Sequence, residues 1–166
     1  LKQKTAYEMY QCDWRSDVCS SDLHSKTGTK YIKTLLESFK EPEIIYVSRV
    51  YQTKHGAGPF EYEQDLSEWF NIVDKTNVYN LFQHKIRYAP IDTFKLFKAI
   101  NGDIFENRVK NAKYSLAMTC FDQSKGFIPE ISYGKVLSRP KFEFINMMER
   151  IVKSSEFSNF IKTESE

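Results

Sequence analysis

Val47-Ser48-Arg49-Val50-Tyr51-Gln52-Thr53-Lys54-His55-Gly56-Ala57-Gly58-Pro59-Phe60 passes from a strand-like segment straight into a loop. Upstream, Glu43–Thr53 (EIIYVSRVYQT) is rich in Ile, Val and Tyr, the residues that suit a pleated surface. Downstream, Lys54–Phe60 (KHGAGPF) holds two Gly and one Pro, which break any regular element. Gly56 and Gly58 let the backbone approach a ligand closely, and Lys54 and His55 add basic character. That composition at the carboxyl end of a strand suits an anion or phosphate contact, since open α/β sheets bind ligands there. A plain strand-to-loop turn is the competing reading. The phosphate-loop spacing G-x-x-x-x-G-K-[ST] occurs nowhere in the chain.

Outward from this stretch, helix-like and strand-like segments alternate. Thr29–Lys40 places Tyr31, Ile32, Leu35, Leu36 and Phe39 at helical spacing, with Thr27 or Gly28 at its start and Pro42 just beyond its end. Asp65–Val73 reads as a short helix around Leu66, Trp69, Phe70 and Val73, and Asn77–Arg87 as irregular. Asp92 is positioned as an N-cap for Thr93–Ile100. Ala112–Thr119 reads as a buried strand and Ile131–Tyr133 as a short one. Lys141–Val152 and Ser155–Ile161 read as C-terminal helices. The alternation predicts an α/β fold with a mainly parallel sheet flanked by helices.

Composition narrows the function. In 166 residues, 24 Lys and Arg face 22 Asp and Glu, a net charge of +2 that is too balanced for a nucleic-acid clamp. No apolar run approaches the roughly 18–20 residues of a membrane span. Apolar residues at 41% and aromatics at 15% supply a core. Three cysteines, Cys12, Cys19 and Cys120, form no CxxC pair, and His is scarce, so neither a disulfide framework nor a zinc site is expected. A cytoplasmic setting is the expectation.

Three segments could carry chemistry. In Asn77–Asp92, aromatics interleave with Asn80, Gln83, His84 and Arg87, and an Arg fork suits a carboxylate or phosphate. A solvated surface loop is the alternative. Thr119-Cys120-Phe121-Asp122 ends the buried strand, where a carboxylate can accept two N–H bonds from a guanine edge, or simply close a turn. Ser132-Tyr133-Gly134 is a weaker signal. No Ser or Cys nucleophile is readable beside His55 or His84. Glu61 and Glu63 are expected to be solvated.

Asp13–Leu23 (DWRSDVCSSDL) shows no helical or strand period. It resembles the conceptual translation of a sequencing-library adapter, DWSSDVCSSDL, departing only at Arg15. Residues 1–23 are therefore expected to be artefactual or unrelated, and function is read from 24–166.

In order, the remaining motifs resemble the C-terminal third of the adenylosuccinate synthetase family. Gly28-Thr29-Lys30-Tyr31-Ile32 resembles the family's G-[PT]-x-Y-[VI]. Val47–Phe60 resembles V-x-x-x-Y-x-T-R-x-G-x-G-P-F. Asn80–Asp92 falls where the family has its aspartate loop, Thr119–Asp122 where it has T-K-L-D, and Ser132–Gly134 where it has S-x-G. Lys54 and Cys120 stand in place of the family's Arg and Lys, Glu61-Tyr62 in place of Pro-Thr, and the segment between Asp122 and Ser132 is shorter.

The resemblance implies part of a P-loop-type fold and a GTP-dependent ligase. With GTP and Mg²⁺, such an enzyme phosphorylates the 6-oxygen of IMP, and aspartate then displaces the phosphate. It implies GTP binding by Thr119, Cys120, Asp122, Ser132 and Gly134, and substrate binding by Gln83, Arg87, Gly56 and Gly58. No catalytic or metal-ligating residue is assigned to this chain, so by itself it is expected to be inactive. Its expected partners are the purine nucleotide and aspartate, with no nucleic acid or membrane, and a homodimer at full length. A dGMP-using, phage-type 2-aminoadenylosuccinate synthetase is the alternative within the family. A non-catalytic nucleotide-binding or interaction module is the alternative outside it.

Overall fold

The computed structural model describes residues 28–56, 58–73 and 85–163. It is a mixed α/β structure with one parallel sheet and smaller antiparallel pairings. Strands β1 (Glu43–Arg49), β4 (Lys113–Thr119) and β7 (Phe157–Lys162) form the parallel sheet in the order β1-β4-β7. Pairing is in register along β1 and β4, from Glu43 opposite Lys113 to Arg49 opposite Thr119. The central strand is buried from Tyr114 to Ala117 and on through Met118, which explains its nearly unbroken apolar run.

β2 (Tyr51–Lys54) pairs antiparallel with β3 (Arg87–Pro90), and β5 (Phe127–Ser132) with β6 (Lys135–Pro140). A parallel bridge between Ile91 and Glu130 joins the two ribbons. Helix α1 (Lys33–Leu36) is one turn long. Helix α2 (Thr93–Glu106) starts at Asp92, whose side chain accepts the Lys95 amide at 2.9 Å. Helix α3 (Lys141–Lys153) buries Phe144, Met148 and Val152, one face at i, i+4, i+8.

These elements share one apolar core. It joins Ile44, Leu116 and Met118 of the sheet, Ile100 and Ile104 of α2, the buried face of α3, and Leu66 and Phe70 of the connecting segment. No helix among the described residues is long and apolar enough to cross a membrane.

Several expectations are corrected. Thr29–Lys40 forms only the single turn α1, with Tyr31, Leu35 and Phe39 exposed. Its apolar spacing meets no surface able to bury all five positions. Glu43–Thr53 is two strands, since Val50, fully buried at the junction, passes the chain from one sheet to the other. Asp65–Val73 contains a turn and an isolated bridge from Phe70 to Ser124, not a helix. Ser155–Ile161 is largely strand β7, because its backbone pairs with β4. The short strand expected at Ile131–Tyr133 is the end of a hairpin that starts at Phe127. Most of Asn77–Arg87, including Asn80, Gln83 and His84, lies outside the described residues, as do 1–23 and Ala57.

Candidate functional site

The glycine-rich loop is built around Arg87, the first residue of β3, which pairs opposite Lys54, the last of β2. The Arg87 guanidinium donates to the carbonyls of Gly56 and Gly58, each at 2.9 Å. Its remaining N–H groups form a fork on Glu63, with Nε to Oε1 at 2.8 Å. The Phe60 ring lies 5.7 Å from the guanidinium carbon. Lys54 Nζ donates to the Pro59 carbonyl at 2.9 Å. Gly56 and Gly58 both take positive φ, 73° and 92°, a conformation that L side chains adopt at a cost.

The loop therefore meets its two cations with carbonyl oxygens. The paired charges perturb each other. The Arg87 hydrogen bond holds the Glu63 carboxyl below the usual glutamate range, and Glu63 in turn raises the Arg87 pKa. A ligand carboxylate or phosphate can take the Arg87 fork only by displacing Glu63. Sequence reasoning left Glu63 as a solvated carboxylate; its partner is 24 residues away along the chain. Glu61 is also engaged, by Lys95 of α2.

Thr119, Cys120 and Asp122 lie elsewhere, at the carboxyl end of the parallel sheet. Thr119 closes β4, and its carbonyl accepts the Val50 amide at 3.2 Å. Cys120 is buried with φ 67° and turns the chain out of the sheet. Gln123 N–H donates back to the Cys120 carbonyl at 3.3 Å, which leaves Asp122 exposed in the turn. Tyr51 caps this corner by donating its hydroxyl to Gln123 Oε1 at 2.8 Å. Burial, reinforced by Cys120, pushes the Tyr51 hydroxyl pKa well above the usual tyrosine range.

Ser132 and Gly134 flank Tyr133 at the turn between β5 and β6. Tyr133 and Gly134 both have positive φ, as a two-residue hairpin turn requires. Ser124 Oγ holds the Phe127 carbonyl at 2.9 Å, so the Asp122 turn adjoins the base of the hairpin. Ser132 and Gly134 are at its tip, about 17 Å from Phe127 along the strand. The tip is instead tied to the loop side: Tyr62, next to Glu63, donates its hydroxyl to the Gly134 carbonyl at 3.2 Å. The structure thus joins Gly56, Gly58 and Arg87 directly and links Gly134 to them through Tyr62. It places Thr119, Cys120 and Asp122 as a separate group, and Gln83 falls outside the described residues.

Among the described residues no three His, Cys, Asp or Glu side chains gather as a metal ligand set. The chain matches no known family model, no curated protein and no solved structure.

Proposed function

We propose that the chain is the nucleotide-binding, C-terminal portion of a GTP-dependent ligase that joins aspartate to a purine nucleotide, inactive when isolated. The observation that carries this reading is the position of Asp122. Its exposed carboxylate follows the central strand of a parallel sheet by three residues, at the carboxyl edge where α/β sheets take ligands. A carboxylate there accepts from two guanine N–H groups at once and has no donor of its own, which favours guanine over adenine. Arg87 serves as the anion contact, and Glu63 must leave the fork before a substrate carboxylate or phosphate can enter. The chemistry proposed for the complete enzyme is activation of a purine carbonyl oxygen by phosphorylation, followed by displacement by an amine. The isolated chain contributes binding and orientation to it.

Isothermal titration of the 166-residue chain with GTP and ATP tests the reading. Weak, saturable GTP binding with little ATP binding is expected. Asp122→Asn should weaken GTP and favour XTP, because an amide presents one donor and one acceptor to the base edge. Equal binding of GTP and ATP, or an unchanged GTP affinity in Asp122→Asn, overturns it. Resequencing the gene across codons 13–23 is the companion test. A reading frame that continues upstream into a glycine-rich phosphate loop supports the ligase.

A further inference from the structure

β1 is an edge strand, and its sequence is complementary to itself. Lys113 N–H donates to the Pro42 carbonyl and Val50 N–H to the Thr119 carbonyl. In a parallel pair, groups that face the neighbour alternate along the strand, so the even-numbered residues of β1 turn their backbone toward β4. Glu43, Ile45, Val47 and Arg49 turn theirs outward. Among the described residues no backbone group pairs with them on that side. The same four side chains share the sheet face away from the core, where Ile45 is 45% and Val47 68% exposed. A bare apolar edge of this kind is a template for another strand.

We propose that β1 pairs antiparallel with β1 of a second copy of this chain, about a two-fold axis at Tyr46. The register follows from the residues. Centred on Tyr46, Glu43 lies opposite the partner's Arg49, and Ile45 opposite the partner's Val47. Odd residues face odd ones, so these are the hydrogen-bonded pairs, made from the outward N–H and C=O groups, and the even residues between them form the non-hydrogen-bonded pairs. The Arg49 carbonyl, which accepts the Ser48 hydroxyl at 3.1 Å, keeps a second lone pair for this bond. Opposite charges meet at both ends, and β-branched side chains meet between them on one face. A shift of two residues one way sets Glu43 against the partner's Val47, and the other way Arg49 against the partner's Ile45, so either shift breaks both charge pairs and the same pattern selects the register. The two parallel sheets become one sheet of six strands, and the symmetry closes the assembly at two copies. This inference stands apart from the ligase reading.

Sedimentation velocity of the full chain over a wide concentration range tests it, with circular dichroism to show that each variant folds. The wild type should dimerise. Glu43→Arg and Arg49→Glu each place like charges opposite one another at both ends, and each should raise the dissociation constant roughly tenfold. The double variant should restore it. Amide exchange in the wild type supplies a check that needs no variant: protection at Ile45 and Val47 should rise with concentration. A chain that stays monomeric, single reversals that leave the dimer untouched, or exchange independent of concentration overturns the proposal.

Discussion

One carboxylate ties the start of the described chain to the sheet. Asp103 of α2 accepts the Thr29 amide at 2.9 Å, the Thr29 hydroxyl at 3.0 Å, the Tyr46 hydroxyl at 2.7 Å and the Asn107 side-chain amide at 2.9 Å. Burial works to raise its pKa, but these donors outweigh it and hold the carboxyl below the usual aspartate range. Gly28 is required beside it, since a Cβ there would lie 2.3 Å from Asp103 Oδ1. Asp103→Ala leaves several donors without an acceptor and should cost about 1–3 kcal/mol in urea denaturation. Gly28→Ala should destabilise in the same direction, because the short, four-times-bonded side chain cannot move aside.

At the scale of elements, two charge pairs lock ribbons in place. Arg87 and Glu63 hold the loop after β2 through a fork that lysine cannot reproduce. Arg87→Lys should keep the fold while freeing the loop, seen as faster tryptic cleavage after Lys54. Glu130 of β5 is buried, accepting from Thr93 Oγ1 at 2.8 Å and Arg139 Nε at 2.9 Å. It binds the start of α2 to β5 and β6. Glu130→Ala strands a guanidinium beside the core and should lower stability by about 3 kcal/mol, measured by thermal unfolding.

For the whole molecule, acid should be the sensitive direction. Hydrogen bonds from Arg87 and Lys162 hold Glu63 and Glu149 below the usual range, as the Tyr46 and Thr29 donors hold Asp103. A carboxyl depressed in the folded state adds stability above its unfolded pKa and loses it as pH falls through the folded value. Stability should therefore be level from neutrality to about pH 5 and fall below about pH 4, near the ordinary values of Asp and Glu. Asp103→Asn should flatten that fall. A denaturant midpoint measured against pH checks both.

What was legible in the sequence was local. Asp92 announces α2 because its side chain caps an amide three residues on, within the same segment. The apolar run of β4 announces a strand buried on both faces, and the spacing of Phe144, Met148 and Val152 announces α3. Gly56 and Gly58 announce a loop of positive φ. Tertiary structure decided the rest, because the deciding partners are distant. Phe157, Phe160 and Ile161 fit a helical period as well as a strand, and pairing with β4 selects β7. Val50 reads as mid-strand until two sheets compete for its neighbours. Arg87 offers an anion-binding fork in the sequence, but Glu63 and the loop carbonyls that hold that fork are partners 24 to 31 residues away. Short-range periods and caps are written in adjacent residues, whereas sheet membership and charge pairing depend on which segments the core brings together.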